Sequence, residues 1–152
     1  MDEIVARSLA KWPNVPAVYG WLSLDRRGNW LIKGEKIGNA ALREFIARNY
    51  EADAQGRWFF QNGPQRVYVQ LAYTPLVVRY EGDALIDHCG RSFFPEKIFQ
   101  DDEGSVLMQA KPGIALLDDR DLARHADESD SLQRITRSEV AARFGFVADP
   151  HP

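Results

Sequence analysis

Three consecutive residues, Asp87-His88-Cys89, bring a carboxylate, an imidazole and a thiol together. A metal centre or a thiol catalyst would need those groups to converge with further ligands from elsewhere in the chain. Here they fall inside an Asp-x-x-Gly stretch, with His88 and Cys89 in its two central positions. The pattern predicts a turn tip that points at solvent, with Cys89 accessible and dispensable. Cys89 is the single cysteine, so an internal disulfide and a multi-cysteine zinc site are both ruled out. His125 and His151 form no His-x-x-x-His pair. No Gly-x-Ser-x-Gly elbow, P-loop or dinucleotide fingerprint occurs. A triad assembled in space stays open. The acidic runs Asp101-Asp102-Glu103 and Asp118-Asp119-x-Asp121 lack the alternation and distal Glu of an EF-hand; turns and helix caps account for them. No catalytic residue, metal ligand or cofactor is assigned.

Arginine and aromatic residues interleave in the first half, as Arg26-Arg27-x-x-Trp30, Arg57-Trp58-Phe59 and Arg66-x-Tyr68. Sheets that bind single-stranded nucleic acid present such platforms. Against this, the 152-residue chain has a net charge of −3, and Trp30 and Trp58 fall on the predicted core face. Core packing is expected, and nucleic acid is not an expected partner. Ile135–Phe146 resembles the first helix of a helix-turn-helix, but the six residues after Phe146, two of them proline, leave no room for a recognition helix. The charge is unevenly spread. Residues 1–80 hold eleven Lys/Arg and seven Asp/Glu, net +4, and residues 81–152 hold eight and fifteen, net −7.

The elements that must position these residues follow from periodicity. Residues 3–11 read as a short helix ended by Pro13 and Pro16. Strands are predicted at 19–24 and 29–33. Asn39 is an N-cap, and Leu42, Phe45, Ile46 and Asn49–Tyr50 make one apolar helical stripe. From residue 57 to 117 strand follows strand, clearest at Arg66–Tyr73, where Val67, Val69, Leu71 and Tyr73 alternate with Arg66, Tyr68 and Gln70. Lys111-Pro112-Gly113 reads as a type II turn with Pro at its second position. Asp118 or Asp119 caps a short helix reaching His125. Residues 127–134 read as a polar linker, and Thr136–Glu139 as a capping box before a last helix that stops at Gly145.

One turn recurs four times: Asp25-x-x-Gly28, Asp53-x-x-Gly56, Asp87-x-x-Gly90 and Asp101-x-x-Gly104, each followed by apolar residues. Asp can accept hydrogen bonds from the backbone ahead of it, and Gly supplies the left-handed conformation of a hairpin bulge. The uneven spacing predicts independent hairpins rather than a repeat array. Trp30/Ile32, Trp58/Phe60 and Val106/Met108 should form the core. Leu31, Phe59 and Leu107 lie on the opposite faces. Either the helix at 40–50 covers these three or they form a binding patch, and the covering helix is favoured.

The stretches Trp12–Trp30 and Gly56–Tyr68, together with Leu116–Leu122 and Arg143–Phe146, are similar to a family of uncharacterised proteobacterial proteins. The resemblance implies a bacterial, cytoplasmic, single-domain protein and brings no activity with it. The expected fold is α+β: a predominantly antiparallel sheet of consecutive hairpins, curved or two-layered, with one packed amphipathic helix and short terminal helices. Residues 1–126 are expected to form one β-rich domain, and 127–152 a linker and helical tail. With no apolar stretch long enough for a span and no signal-peptide pattern at the start, a cytoplasmic location and no membrane partner are expected. The functional expectation is a non-enzymatic binding or regulatory protein acting through a sheet surface or apolar patch, with Leu31, Phe59, Arg66, Tyr68 and Leu107 as binding candidates. Its partner is an unidentified protein or small ligand, and a homodimer stays open. The rival is a small enzyme whose site is assembled from several loops.

Overall fold

Strand-forming runs, four pairs of them joined by Asp-x-x-Gly turns, give thirteen strands in two sheets among the described residues. The computed structural model describes residues 1–128 and 130–152. Contacts group the chain into two compact units, one of Met1–Asp25, Asn29–Ala72 and Phe146–Pro152, the other of Arg26–Gly28 and Tyr73–Gly145.

The first unit holds α1 (Glu3–Lys11), β1 (Val18–Leu24), β2 (Trp30–Ile32), β3 (Glu35–Lys36), α2 (Ala40–Arg48), β4 (Tyr50–Ala52), β5 (Trp58–Asn62) and β6 (Gln65–Leu71). Asn39 caps α2 as its side chain predicts, accepting from the Leu42 N–H at 3.1 Å. The six strands run in the order β3-β2-β1-β6-β5-β4. All pairs are antiparallel except β1 with β6. One face carries the core. Trp30 meets Tyr50 edge-on at 4.8 Å, and Tyr50 meets Trp58 at 4.9 Å. Trp30 and Trp58 are buried, as the alternation predicts. α2 lies on this same face, with Phe45 edge-on to Phe60 at 5.6 Å.

The second unit holds β7 (Leu76–Glu81), β8 (Ala84–Asp87), β9 (Ser92–Phe93), β10 (Lys97–Gln100), β11 (Val106–Ala110), β12 (Gly113–Leu117), a 3-10 helix (Asp119–Glu128), β13 (Gln133–Arg134), a 3-10 turn (Arg137–Glu139) and α3 (Val140–Phe144). Its strand order is β13-β10-β11-β12-β7-β8-β9. Without β13 and read from the other end, this is 9-8-7-12-11-10, the same plan as 3-2-1-6-5-4. In both sheets two three-stranded meanders join through one parallel pair, β1 with β6 and β7 with β12. Two of the four hairpins are therefore equivalent, those at Asp53 and Asp101, each opening the second meander of its sheet, whereas those at Asp25 and Asp87 fall at different places in the first meanders.

Several expectations need correction. The Leu31/Phe59/Leu107 set is not covered by the helix at 40–50, which packs on the Phe60 face instead. Phe59 lies under an arginine, described below. Leu107 stands beside Phe99 and Leu116 in its sheet, and Phe144 of α3 meets Phe99 at 5.5 Å. The segment read as a polar linker contributes β13, paired parallel with β10. Lys111 and Pro112 form the centre of their turn, because Ala110 pairs with Gly113. Pro therefore takes the third position, not the second.

Candidate functional site

The face of the first sheet opposite α2 gathers the chemistry-bearing side chains. β5 and β6 are antiparallel, with Phe59 opposite Tyr68 and Gln61 opposite Arg66. Residues paired in this way share a face, so Phe59, Arg66 and Tyr68 are held together by register alone. Tyr19 comes from β1. Between Val18 and Leu22 the pairing with β6 slips, and Gly20, at φ +73°, occupies that irregularity. Tyr19 then stacks on Tyr68, with centroids 4.8 Å apart and planes 13° from parallel.

Two guanidinium groups frame these rings. Arg57 lies 4.6 Å above Tyr68, and its Nε donates to Asp53 Oδ2 at 2.8 Å. Arg66 lies 3.9 Å above Phe59 and donates through Nη1 to the Tyr68 hydroxyl at 3.4 Å. Tyr68 in turn donates to Asp53 Oδ2 at 2.9 Å. Asp53 thus has two jobs. Its Oδ1 accepts from the backbone of Gln55 and Arg57, closing the turn, while its Oδ2 anchors the cluster. Arg66 is half-buried and forms no ion pair with a carboxylate among the described residues.

These contacts set the protonation states. Burial would raise the Asp53 carboxyl, but the backbone amides of Arg57 and Gln55, the Tyr68 hydroxyl and the Arg57 guanidinium outweigh it and hold it below the ordinary range. Burial, then the bond to Asp53, pushes the Tyr68 phenol up against the opposing pull of Arg66. Asp53→Asn is expected to cost about 1–3 kcal/mol at neutral pH, because the amide cannot accept at every position the carboxylate fills. A carboxyl held low in the folded state stabilises fully above its unfolded value, about 3.9, and that stabilisation is lost as pH falls through the folded value. The gap between parent and variant should therefore narrow below about pH 4, which urea denaturation across the acid range measures.

Of the five binding candidates, Phe59, Arg66 and Tyr68 converge here. Leu31 is half-buried in β2 of the same sheet, opposite Ser23 and Lys36. Leu107 is fully buried in the other unit, at 0% exposure, and presents no surface to a ligand. The sequence reading did not single out Tyr19 or Arg57 as site residues, although both sit in motifs it noted.

Asp87-His88-Cys89 forms a turn as predicted, but the tip folds inward. His88 Nδ1 accepts from the Val77 N–H at 3.2 Å. Cys89 is half-buried, and burial followed by the charge of Asp87 pushes its thiol up to about 12; it is not the accessible thiol the turn pattern predicts. A second constellation had no sequence signal. The Tyr80 hydroxyl lies 2.8 Å from His125 Nε2, and His125 Nδ1 lies 3.0 Å from Glu128 Oε2. A cavity of about 490 Å³ in the second unit is lined by Gln100, Asp101, Asp102, Arg134, Thr136 and Glu139, among others. Its carboxylates serve the backbone: Asp102 accepts from the Arg137 N–H at 2.7 Å and Glu139 from the Thr136 N–H at 2.8 Å. No group of three or more metal-binding side chains occurs among the described residues, and none of their helices is long and apolar enough to cross a membrane.

Two mixed, mostly antiparallel sheets with short helices define an α+β protein. The chain belongs to the family described as "Protein of unknown function (DUF2946)", whose profile spans residues 1–151. No curated protein matches its sequence. Its structure is similar to that of a DUF1285 family protein from Silicibacter pomeroyi DSS-3, at 18% identity over 84% of each chain with a TM-score of 0.56. A DUF1285 family protein from Shewanella baltica OS155 aligns over 70% of this chain and 91% of its own, at 15% identity and a TM-score of 0.50. At such identities the likeness is one of fold.

Proposed function

We propose that this protein is a non-enzymatic binding or regulatory module that holds an oxyanion on the Arg66 face of its first sheet. The observation that carries this reading is the state of Arg66. Arg66 is half-buried with no carboxylate partner among the described residues. It is fixed by stacking on Phe59 and by the Tyr68 hydroxyl. A guanidinium has five donors in a rigid fork suited to phosphate or carboxylate, and one donor is used here among the described residues. Glu51 lies opposite Phe59 on this face, so Arg57 and Arg66 balance Asp53 and Glu51, and the preference for an oxyanion rests on the unused donors of Arg66 rather than on net charge. The rings hold the guanidinium in place before any ligand arrives, which lowers the ordering cost of binding.

With inorganic pyrophosphate as the probe, Arg66→Gln is expected to weaken binding at this face by tenfold or more in calorimetry. The urea midpoint should fall only slightly, by about 1 kcal/mol of stability, for the lost contact with Phe59. Equal affinity in the two proteins would overturn the reading.

The small-enzyme reading is favoured by one observation, the Tyr80–His125–Glu128 relay, which has the nucleophile–base–orienter geometry of covalent catalysis. In that reading His125 takes the Tyr80 proton as the hydroxyl oxygen attacks the acyl carbon of an activated ester, the acyl–oxygen bond breaks to release the alkoxide or phenolate leaving group (p-nitrophenolate for the probe below), and Glu128 orients the ring. Acetylation of Tyr80 by p-nitrophenyl acetate tests it. Rapid modification that His125→Gln abolishes would support the relay, and modification at the rate of an ordinary surface tyrosine would dismiss it.

A further inference from the structure

We infer that the second unit holds a second oxyanion site, centred on Arg26, built on the same plan as the Arg66 site; this rests on the reading of Arg66 given above. The two sheets share one strand order, and the turn that opens the second meander of each carries the same aspartate. Asp101 repeats what Asp53 does. Its Oδ1 accepts from the N–H groups of Glu103 and Ser105 at 2.9 and 2.8 Å, two and four residues on, and its Oδ2 accepts from a tyrosine hydroxyl, Tyr73, at 2.8 Å. The tyrosine arrives from the other member of the parallel pair: Tyr68 lies in β6, and Tyr73 lies just before β7.

The arginines repeat as well. Two guanidinium groups attend Tyr73, Arg26 at 5.2 Å and Arg137 at 4.8 Å from the ring centroid. One of them is neutralised, Arg137 by Glu103 at 2.7 Å, as Arg57 is by Asp53. The other, Arg26, is half-buried and bonded to the Ser105 hydroxyl at 2.8 Å, with no carboxylate partner among the described residues. Like Arg66, it is the arginine of its pair with no carboxylate partner among the described residues, although its seat differs: Arg66 lies over Phe59 and donates to the Tyr68 hydroxyl, and Arg26 lies over the Tyr73 ring and donates to Ser105. A guanidinium stacked on a ring and left with unused donors is a fork set for a phosphate or carboxylate group. The nearby charges differ between the two sites. Around Arg26 and Arg137 stand three carboxylates, Asp101, Asp102 and Glu103, whereas Arg57 and Arg66 face two, Asp53 and Glu51, so the Arg26 site should be several-fold weaker.

Calorimetric titration of the full chain with inorganic pyrophosphate, and separately with malonate, counts the sites and tells a phosphate fork from a carboxylate fork. The parent protein is expected to bind two pyrophosphates, one several-fold more weakly. Arg26→Gln should remove only the weaker event, with Arg26→Lys retaining part of it, and Arg66→Gln should remove only the tighter one. Arg27→Gln, which alters a neighbouring exposed arginine already paired with Asp119 at 3.0 Å, should leave both. A malonate titration with the same two events supports a general oxyanion fork, and events with pyrophosphate alone support a phosphate fork. A single event in the parent that Arg26→Gln leaves intact and Arg66→Gln abolishes overturns the second site and leaves the first standing. A single event that only Arg26→Gln abolishes upholds this site and overturns the reading of Arg66. No binding, or binding that Arg27→Gln weakens equally, overturns both.

Discussion

Gly28→Ala is expected to destabilise the protein by about 2–4 kcal/mol, more than the same change at the Gly90 or Gly104 turn. Two costs combine. Gly28 sits at φ +82°, where an L side chain is strained. A Cβ there would also lie 2.7 Å from His88 Cβ and 3.5 Å from Val77 Cβ. Neither atom is the flexible end of a side chain, so the backbone must move. His88 is held in addition by the bond from the Val77 N–H. Gly104 separates the two costs, because its φ is +84° yet a Cβ placed there would meet nothing within 4 Å. Gly104→Ala should therefore cost only about 1 kcal/mol, the conformational part. Urea unfolding of both variants measures the difference, and equal losses would mean that the close approach at His88 does not exist.

Trp58→Ala should cost about 3–5 kcal/mol, against a typical total stability of about 5–15 kcal/mol. Trp58 is 9% exposed and packs on Tyr50, which in turn packs on Trp30. Truncation removes the ring and opens a cavity that the strand backbone cannot close. Pyrophosphate binding at Arg66 should survive wherever the variant remains folded, because Trp58 lies on the α2 face. A loss below about 1 kcal/mol would place Trp58 outside the core.

What the sequence made legible was local. Each Asp-x-x-Gly turn is decided within five residues, and Gly28, Gly56, Gly90 and Gly104 all take φ between 79° and 84°. Alternation separates Trp58 and Phe60 from Phe59, so the two faces of β5 could be read. Alternation does not say which face a helix will choose. Phe45 settled on Phe60, and Phe59 was covered by Arg66 from the neighbouring strand. The parallel pairs β1–β6 and β7–β12 join strands far apart in the chain, and no turn chemistry specifies them. The shared plan of the sheets was hidden for the same reason. Its first meanders place the Asp turn differently, after β1 in one sheet and after β8 in the other, which makes the spacing uneven. Arg66 and Tyr68 left a usable signal, two residues apart on one strand face. Tyr80 and His125 left none, because 45 residues separate them. His88 turned inward through its bond from a strand amide that a turn pattern cannot foresee.

The central claim is that a guanidinium fixed on Phe59 waits for an oxyanion, and its most direct test watches that group. In protein labelled with ¹⁵N-arginine, the Arg66 Nε–Hε resonance should shift progressively and saturably as inorganic pyrophosphate is added. The Arg57 signal should move less, because its Nε already donates to Asp53. An Arg66 resonance that stays in place through millimolar pyrophosphate, or that moves only in step with the exposed arginines, would contradict the account.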